Sequence, residues 1–197
     1  NTEATPLRVG VIGTGALGRH HVRILSSLPD VELVGVFDLR PEISNAIAAE
    51  FGTRSFAGLA PLADEIEAAI VAVPTTDHAE VGCRLLESGI HVLVEKPIAP
   101  SLEDADRLVR AAGDLVLAVG HVEFYNPAVE QLLRIEQRPG FVEIHRLATF
   151  SPRSLDVDVV LDLMIHDLQI LHAMDDSPVA EVRATGISVL SDRVDIA

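Results

Sequence analysis

Cysteine is nearly absent from this sequence, since Cys83 is the single one among 197 residues. A chain with one cysteine cannot form an internal disulfide, so a disulfide-stabilised scaffold is excluded. The neighbouring Val81, Leu85 and Leu86 predict that Cys83 packs inside a helix and is not a nucleophile. Clusters of His, Cys, Asp and Glu with the spacing of metal ligands are also missing, and we expect no metal site.

Basic residues are scarce as well: 15 Lys and Arg stand against 30 Asp and Glu, for a net charge of -15. Such a field repels phosphate backbones and anionic lipid surfaces, so we expect neither nucleic acid nor a membrane as a partner. No apolar run approaches the ~20 residues of a membrane helix. The polar residues 1–6 lack a signal-peptide pattern, and there is no internal repeat. We therefore expect a cytoplasmic globular protein.

The sequence does contain 48% hydrophobic residues, enough for a sizeable core. Over the first 120 residues, short β-branched runs alternate with longer amphipathic stretches. The runs predict strands over residues 7–12, 31–37, 69–73, 91–94 and 115–119, and the stretches predict helices over 16–28, 41–50, 76–87 and 102–112. Strict alternation of this kind is typical of an α/β fold with a doubly wound parallel sheet, the Rossmann type.

The character of the sequence changes after Gly120, so we predict two domains, residues 1–120 and 121–197. Pro127 is typical of a helix start. Residues 141–150 alternate apolar and polar side chains like an antiparallel strand, and a helix over 159–174 and a strand over 181–190 follow. These features predict an α+β domain with a mainly antiparallel sheet. Because that sheet does not close within the sequence, we interpret the second domain as incomplete.

A glycine-rich turn, Gly13-Thr14-Gly15-Ala16-Leu17-Gly18, follows the first predicted strand and opens the first predicted helix. In a dinucleotide-binding fold the first glycine allows the tight turn, the second lets the backbone approach the pyrophosphate, and the third lets helix and strand pack closely. Amides at the helix N-terminus then face the phosphates. The alternative is a turn without a ligand, but the strand and helix around it favour cofactor binding.

Asp38 ends the second predicted strand, 20 residues after Gly18. A carboxylate there can accept hydrogen bonds from the adenosine ribose hydroxyls and repels a 2′-phosphate, which favours NAD over NADP. Arg40 leaves NADP open, because its side chain can reach a 2′-phosphate or stack on adenine. Asp38 can also be a solvated strand end.

Glu95-Lys96-Pro97 follows the strand predicted over residues 91–94, at the edge where open parallel sheets bind ligands. Together with the glycine turn, this motif resembles the Gfo/Idh/MocA oxidoreductase family. The other segments that are similar to this family are Val73-Pro74-Thr75-Thr76-Asp77-His78, Gly120-His121-Val122-Glu123, Asn126-Pro127-Ala128, and Asp162 with His166. The resemblance spans nearly the whole sequence.

The resemblance implies a homo-oligomeric, NAD-dependent dehydrogenase that acts on a secondary hydroxyl of a sugar or nucleotide sugar. His166 would take the hydroxyl proton, Lys96 would polarise that oxygen, and Asp162 would orient the substrate or His166. Their i, i+4 spacing places Asp162 and His166 on one face of the predicted helix. The resemblance also implies a cis peptide bond before Pro97. The predicted cofactor-binding residues are Gly13, Gly15, Ala16, Leu17, Gly18, Asp38, Arg40, Pro74, Thr75, His78, Glu95 and Lys96.

Two other functions stay open at this point. Some members of the family hydrolyse sugars through transient oxidation and leave bound NAD unchanged overall, and a further alternative is a non-catalytic NAD-binding regulatory protein. Lys96 can equally form a structural ion pair, and Asp162 and His166 can lie on a solvated helix face. Gln169 and Phe124-Tyr125 depart from the family's pattern and indicate different substrate contacts.

Overall fold

The computed structural model describes residues 5–135, 137–148 and 157–197. The chain divides into two units, Asn1–Gly120 and His121–Ala197. The first unit is built around a parallel sheet, whereas the described residues of the second form helices and segments without regular secondary structure.

The sheet of the first unit has six parallel strands in the order β3-β2-β1-β4-β5-β6. The strands are β1 (Leu7–Ile12), β2 (Val31–Phe37), β3 (Arg54–Ser55), β4 (Ala68–Val71), β5 (His91–Val94) and β6 (Leu117–Val119). Strand β1 lies between β2 and β4, so the strand order reverses beside it. The crevice at the carboxyl ends of these strands is where open α/β sheets bind their ligands.

Helices cover both faces of this sheet. They are α1 (Ala16–Leu25), α2 (Pro41–Phe51), α3 (Leu59–Ala63), α4 (His78–Glu87) and α5 (Leu102–Ala112), with a 3₁₀ turn at Thr75–Asp77. The side-chain oxygen of Ser101 accepts a hydrogen bond from the Asp104 nitrogen at 3.1 Å, so Ser101 caps α5. Gly52 ends α2 with a φ of 69°, in the left-handed region that favours glycine.

Two apolar cores hold the helices on the sheet. Val11 and Val36 point from the strands toward Val22 of α1 and Ile47 of α2. The larger core, on the opposite face, includes buried leucines of α3, α4 and α5, namely Leu62, Leu85, Leu86 and Leu108. Each fully buried side chain of this size contributes about 1.5–3 kcal/mol. The carboxyl edge of the sheet is therefore supported by a well-packed scaffold.

The predicted doubly wound fold of the first unit is confirmed. The strands predicted over residues 7–12, 31–37 and 91–94 and the helix predicted over 102–112 have those bounds, and the other predicted elements of this unit shift by one to three residues at an end. Two short elements were missed. Strand β3 consists of Arg54 and Ser55, which carry no apolar run, and the five residues of α3 include Pro61. Residues 75–77 form a 3₁₀ turn in place of the predicted first turn of α4.

The described part of the second unit contains a 3₁₀ turn (Val122–Tyr125), α6 (Pro127–Leu133), a π-helical turn (Val160–Met164) and α7 (Ile165–Met174). Helix α7 packs against the 3₁₀ turn and α6. The helix start predicted at Pro127 is confirmed, and the Asn126 side chain caps it by accepting from the Ala128 nitrogen at 3.0 Å. None of the helices in the described ranges is long and apolar enough to span a bilayer.

The predicted antiparallel sheet of this unit does not form among the described residues. Residues 141–148 form neither helix nor strand, and residues 149 and 150 of that predicted strand lie outside the described residues. Residues 181–190 make a single antiparallel bridge, Ile187 with Ile196. Alternating side chains favour an extended backbone, but a strand also needs a neighbour that takes its backbone hydrogen bonds. The described residues supply no such neighbour.

Candidate cofactor site and catalytic residues

The glycine turn joins β1 to α1 and leaves open space at one position. Gly13 has a φ of 85°, and a Cβ there would lie 2.5 Å from the carbonyl oxygen of Ala72. A Cβ at Gly18 would lie 1.8 Å from the carbonyl oxygen of Gly13. A Cβ at Gly15 would meet no atom of the described residues within 4 Å. The backbone at Gly15 is therefore accessible to a ligand, as the close approach of a pyrophosphate requires.

The N-terminus of α1 suits an anion. Its N-cap residue is Gly15, which has no side chain to cap the helix, and the first turn contains no acidic residue. First-turn amides, including those of Ala16 and Leu17, have no acceptor inside the helix, and the helix dipole adds partial positive charge there. The described residues of this turn therefore fit the pyrophosphate of a dinucleotide.

The carboxylate of Asp38 lies just past β2 and accepts four hydrogen bonds. The backbone nitrogen and hydroxyl of Thr14 donate to Oδ2 at 2.8 and 3.1 Å, and the backbone nitrogen and Nε of Arg40 donate to Oδ1 at 3.0 and 3.3 Å. Burial alone raises the pKa of Asp38, but these hydrogen bonds together outweigh it, so the pKa lies below its ordinary value. Asp38 is therefore an anion beside the glycine turn.

The loop after β4 carries three of the predicted cofactor residues. Pro74 precedes the 3₁₀ turn, Thr75 is buried within it, and His78 begins α4. The His78 ring faces the backbone on both sides, with Nδ1 2.9 Å from the Pro97 oxygen and Nε2 3.0 Å from the Val73 oxygen. The ring is thus engaged by two loops, and its direct contact with a cofactor stays a prediction.

Glu95 follows β5 and connects it to α1. His21 Nε2 lies 2.6 Å from Glu95 Oε1, and the Lys96 nitrogen donates to Oε2 at 3.2 Å. A Cβ at Gly120, just past β6, would lie 2.9 Å from Oε2, so the carboxylate occupies the space that glycine leaves. Burial opposes ionisation most strongly, but His21 and Lys96 together hold the pKa of Glu95 below its ordinary value. Glu95 is therefore an ionised link between α1 and the end of β5.

Lys96 is half-buried at the same carboxyl edge and precedes a cis peptide bond to Pro97. The cis bond expected from the family resemblance is therefore confirmed. An ammonium group at this edge of a parallel sheet can donate hydrogen bonds to an oxygen of a bound ligand.

In the second unit, Asp162 lies in the π turn and His166 in the first turn of α7. The sequence predicted one regular helix here, and π turns inside helices are frequent at functional sites. The His166 ring is buried and stands edge-on to the ring of His121, with centroids 6.3 Å apart and planes at 86°. The described second unit therefore holds two histidine rings together at the start of α7.

Arg146 anchors the segment at residues 141–148 to α7. Its Nε donates to Oδ1 and Oδ2 of Asp167 at 2.9 and 3.0 Å, and its Nη2 lies 2.8 Å from Oδ1. The hydrogen bonds and charge of Asp167 raise the pKa of Arg146 above its ordinary value. Because Asp167 directly follows His166, this ion pair fixes the backbone beside the histidine.

Three residues of this constellation were not among the predicted site residues: Thr14, His21 and Gly120. Thr14 and Gly120 lie in segments that the sequence singled out, without a contact being predicted for either. Thr14 is the variable position between two glycines, and His21 lies three residues after Gly18 on α1. Their partners are 24 and 74 residues away in sequence, so neither helical nor strand periodicity marks them. The one available signal was the polar side chain of Thr14 inside the glycine turn.

Several known proteins resemble this chain. Residues 7–121 match the Gfo/Idh/MocA family model, described as an oxidoreductase family with an NAD-binding Rossmann fold. UDP-N-acetylglucosamine 3-dehydrogenase of Acidithiobacillus ferrooxidans is 39% identical over 194 residues, which cover 97% of this chain and 61% of that enzyme. Inositol 2-dehydrogenase of Rubrobacter xylanophilus is 29% identical over 92% of this chain and 56% of its own length.

Solved structures agree with these sequence matches. The structure of UDP-N-acetylglucosamine 3-dehydrogenase GnnA from Acidithiobacillus ferrooxidans has a TM-score of 0.91 and 38% identity, over 98% of this chain and 64% of that one. GenD2 from gentamicin A biosynthesis, solved in complex with NAD, has a TM-score of 0.73 and 25% identity, over 88% of this chain and 55% of that one. This chain thus spans less than two thirds of each of these relatives. By sequence and by fold, the chain belongs to the Gfo/Idh/MocA family of oxidoreductases with an NAD-binding Rossmann fold.

Proposed function

We propose that the protein containing this chain is an NAD-dependent dehydrogenase that oxidises a secondary hydroxyl of a nucleotide sugar. The observation that carries this proposal is the 39% identity to a UDP-N-acetylglucosamine 3-dehydrogenase over 97% of the chain, which runs through both units. The uncapped N-terminus of α1 and the open backbone at Gly15 support it, because they suit a dinucleotide.

We propose NAD as the cofactor in preference to NADP. Asp38 is an anion at the end of β2, where the adenosine ribose of a dinucleotide lies in this fold. A 2′-phosphate would bring two further negative charges close to that carboxylate. The Arg40 side chain also bonds to Asp38, so it partly neutralises this charge without removing it.

Each proposed catalytic residue has one task. His166 accepts the proton of the substrate hydroxyl, and the Lys96 ammonium donates a hydrogen bond to the same oxygen and stabilises the negative charge that develops on it. Asp162 orients the substrate or His166. Bound NAD⁺ supplies the two-electron oxidant for the carbon. The products are then a ketone on the sugar, the reduced cofactor and one proton.

The test is a substrate screen on the intact protein. We expect reduction of NAD⁺, followed by absorbance of the reduced cofactor, with UDP-N-acetylglucosamine and slower or no reduction with myo-inositol or glucose 6-phosphate. The last two compounds represent the named substrates of other relatives of this chain. The same screen with NADP⁺ measures the cofactor preference.

The outcomes separate the proposal from its alternatives. Sugar hydrolysis without net reduced cofactor would identify a hydrolase that oxidises its substrate only transiently. NAD⁺ binding without turnover of any sugar, unchanged by Lys96→Ala and His166→Ala, would identify a regulatory protein. Failure to bind either dinucleotide would overturn the proposed function entirely.

A further inference from the structure

His78 connects two loops at the carboxyl edge of the sheet. The side chain is 1% exposed, and its two ring nitrogens lie within 3.0 Å of two different backbone carbonyl oxygens. One carbonyl belongs to Val73 in the loop after β4, and the other belongs to Pro97 in the turn after β5. Each of these loops starts where its strand ends.

The backbone pairing of β4 and β5 stops before these two carbonyls. The strands are in register as far as Val71 with Val94, and the Glu95 nitrogen donates to the Val71 oxygen at 2.9 Å. Beyond that point the His78 ring lies between the two loops, with one ring nitrogen near each carbonyl oxygen. A neutral imidazole supplies one N–H donor and a protonated one supplies two, so either form donates to at least one of the loops.

The bridged loops lie on the nicotinamide side of the proposed cofactor site. Asp38 on β2 marks the adenosine side, and a dinucleotide crosses the sheet beside β1 toward the strands beyond it, β4 and β5. Lys96 immediately precedes the carbonyl-bearing Pro97. A shift of that turn would therefore move the ammonium that the proposed reaction needs.

We propose that His78 is a positioning residue that sets the spacing between the loop after β4 and the Glu95-Lys96-Pro97 turn, and through it the placement of Lys96. This inference rests on the proposed function for the role of Lys96 in turnover. The expected effect of His78 on cofactor binding does not depend on turnover, because the same two loops border the nicotinamide half of the proposed dinucleotide site.

The test compares His78→Phe, which keeps the ring volume and removes both nitrogens, with His78→Gln, whose amide nitrogen keeps two N–H donors. In the intact protein we expect His78→Phe to lower kcat by about 10²-fold, the scale of a misplaced catalytic group. Its affinity for NAD⁺ should fall, while its affinity for ADP-ribose, which lacks the nicotinamide, stays unchanged. His78→Gln should recover part of both losses.

His91→Phe is the matched control. His91 begins β5 at the opposite edge of the sheet, and its Nδ1 accepts from the Val116 nitrogen at 3.0 Å. This variant should lower the thermal midpoint without separating NAD⁺ from ADP-ribose affinity.

The proposal is overturned if folded His78→Phe binds NAD⁺ like the wild type, or if it loses NAD⁺ and ADP-ribose affinity equally. If His78→Phe does not fold, two other variants decide. The proposal is overturned if His78→Gln has an unchanged kcat and His78→Leu has the same ratio of NAD⁺ to ADP-ribose affinity as the wild type. A wild-type protein that oxidises no sugar refutes the proposed function, while the comparison of the two ligands still decides the role of His78.

Discussion

Thr14 donates both its backbone N–H and its hydroxyl to one oxygen of Asp38, at 2.8 and 3.1 Å. Thr14 belongs to the glycine turn after β1, and Asp38 lies just past β2. The pair therefore joins the turn that suits a pyrophosphate to the carboxylate that suits a ribose. Because both residues are buried, the orientation of the carboxylate is held by these donors and does not depend on solvent.

Asp38→Asn tests the cofactor preference. The amide oxygen can still accept from Thr14, but the negative charge that repels a 2′-phosphate is lost. We expect the ratio of NAD⁺ to NADP⁺ affinity to fall by about tenfold or more, equivalent to at least about 1.4 kcal/mol. Isothermal titration calorimetry with both dinucleotides measures this ratio.

The control for this change is Glu32→Gln. Glu32 carries the same charge near the amino end of β2, away from the glycine turn. That variant should leave the affinity ratio unchanged. Equal effects of the two substitutions would mean that net charge, not the position of Asp38, decides between the cofactors.

Two glycine substitutions should separate ligand binding from folding. Gly15→Ala adds a Cβ where the described residues leave open space, so we expect a stability loss below about 1 kcal/mol and clearly weaker NAD⁺ binding. Gly18→Ala drives a Cβ into the Gly13 carbonyl and should cost at least about 1–3 kcal/mol. Urea unfolding and calorimetry give the two quantities.

The opposite pattern would contradict this view of the turn. If Gly15→Ala bound NAD⁺ normally, the pyrophosphate would not lie against this backbone. Gly52→Ala is the control. We expect it to lower stability without changing NAD⁺ binding, because Gly52 ends α2 and Asp38 lies near the start of that helix.

The sequence predicted the parts of the fold that local patterns determine. Apolar runs and amphipathic stretches placed β1, β2, β5 and α5 with their observed bounds, because side-chain periodicity and caps such as Ser101 act within a few residues. Strand β3 escaped prediction because Arg54 and Ser55 are a strand only through pairing with β2. The second unit shows the reverse case, in which an alternating pattern over residues 141–148 has no pairing partner among the described residues.

The candidate site divides in the same way. The spacing of the glycines and of Asp38 could be read from the sequence, because that spacing follows from one strand–turn–helix unit and the next strand. The contacts of Asp38 with Thr14 and of Glu95 with His21 could not, because they join residues 24 and 74 positions apart. Such contacts depend on how helices pack on the sheet, and a single sequence does not encode that packing locally.

Glu95→Gln should change how stability depends on pH. Glu95 has a pKa below its ordinary value in the folded protein, so it stabilises the fold at pH values above the unfolded pKa of about 4.3. This contribution disappears as the pH falls through the lower, folded pKa. We therefore expect the variant to have a lower thermal midpoint than the wild type at pH 7, with a difference that shrinks below about pH 4.

Thermal unfolding followed by circular dichroism between pH 3 and pH 7 measures this difference. Glu87→Gln, at an exposed position at the end of α4, is the matched control and should show no such trend. A constant difference between wild type and Glu95→Gln across this range would mean that the contact between Glu95 and His21 does not depend on the carboxylate charge.

His166→Gln tests the proposed base of the second unit. The rate of alcohol oxidation by the wild type should rise with pH, because a general base must be unprotonated to accept the hydroxyl proton. We expect the variant to lose about 10²–10⁴-fold in kcat together with this pH dependence, and to bind NAD⁺ normally. Steady-state kinetics across pH measures both effects.

His172→Gln changes an exposed histidine in the last turn of the same helix and should leave the kinetics unchanged. His121→Gln is the decisive comparison, because the His121 ring stands edge-on to His166 at a centroid distance of 6.3 Å. If His121→Gln abolishes the pH dependence and His166→Gln retains it, the proton passes to His121. In that case the edge-on contact would make His166 the residue that orients the base, and the assignment of roles within this pair would be reversed.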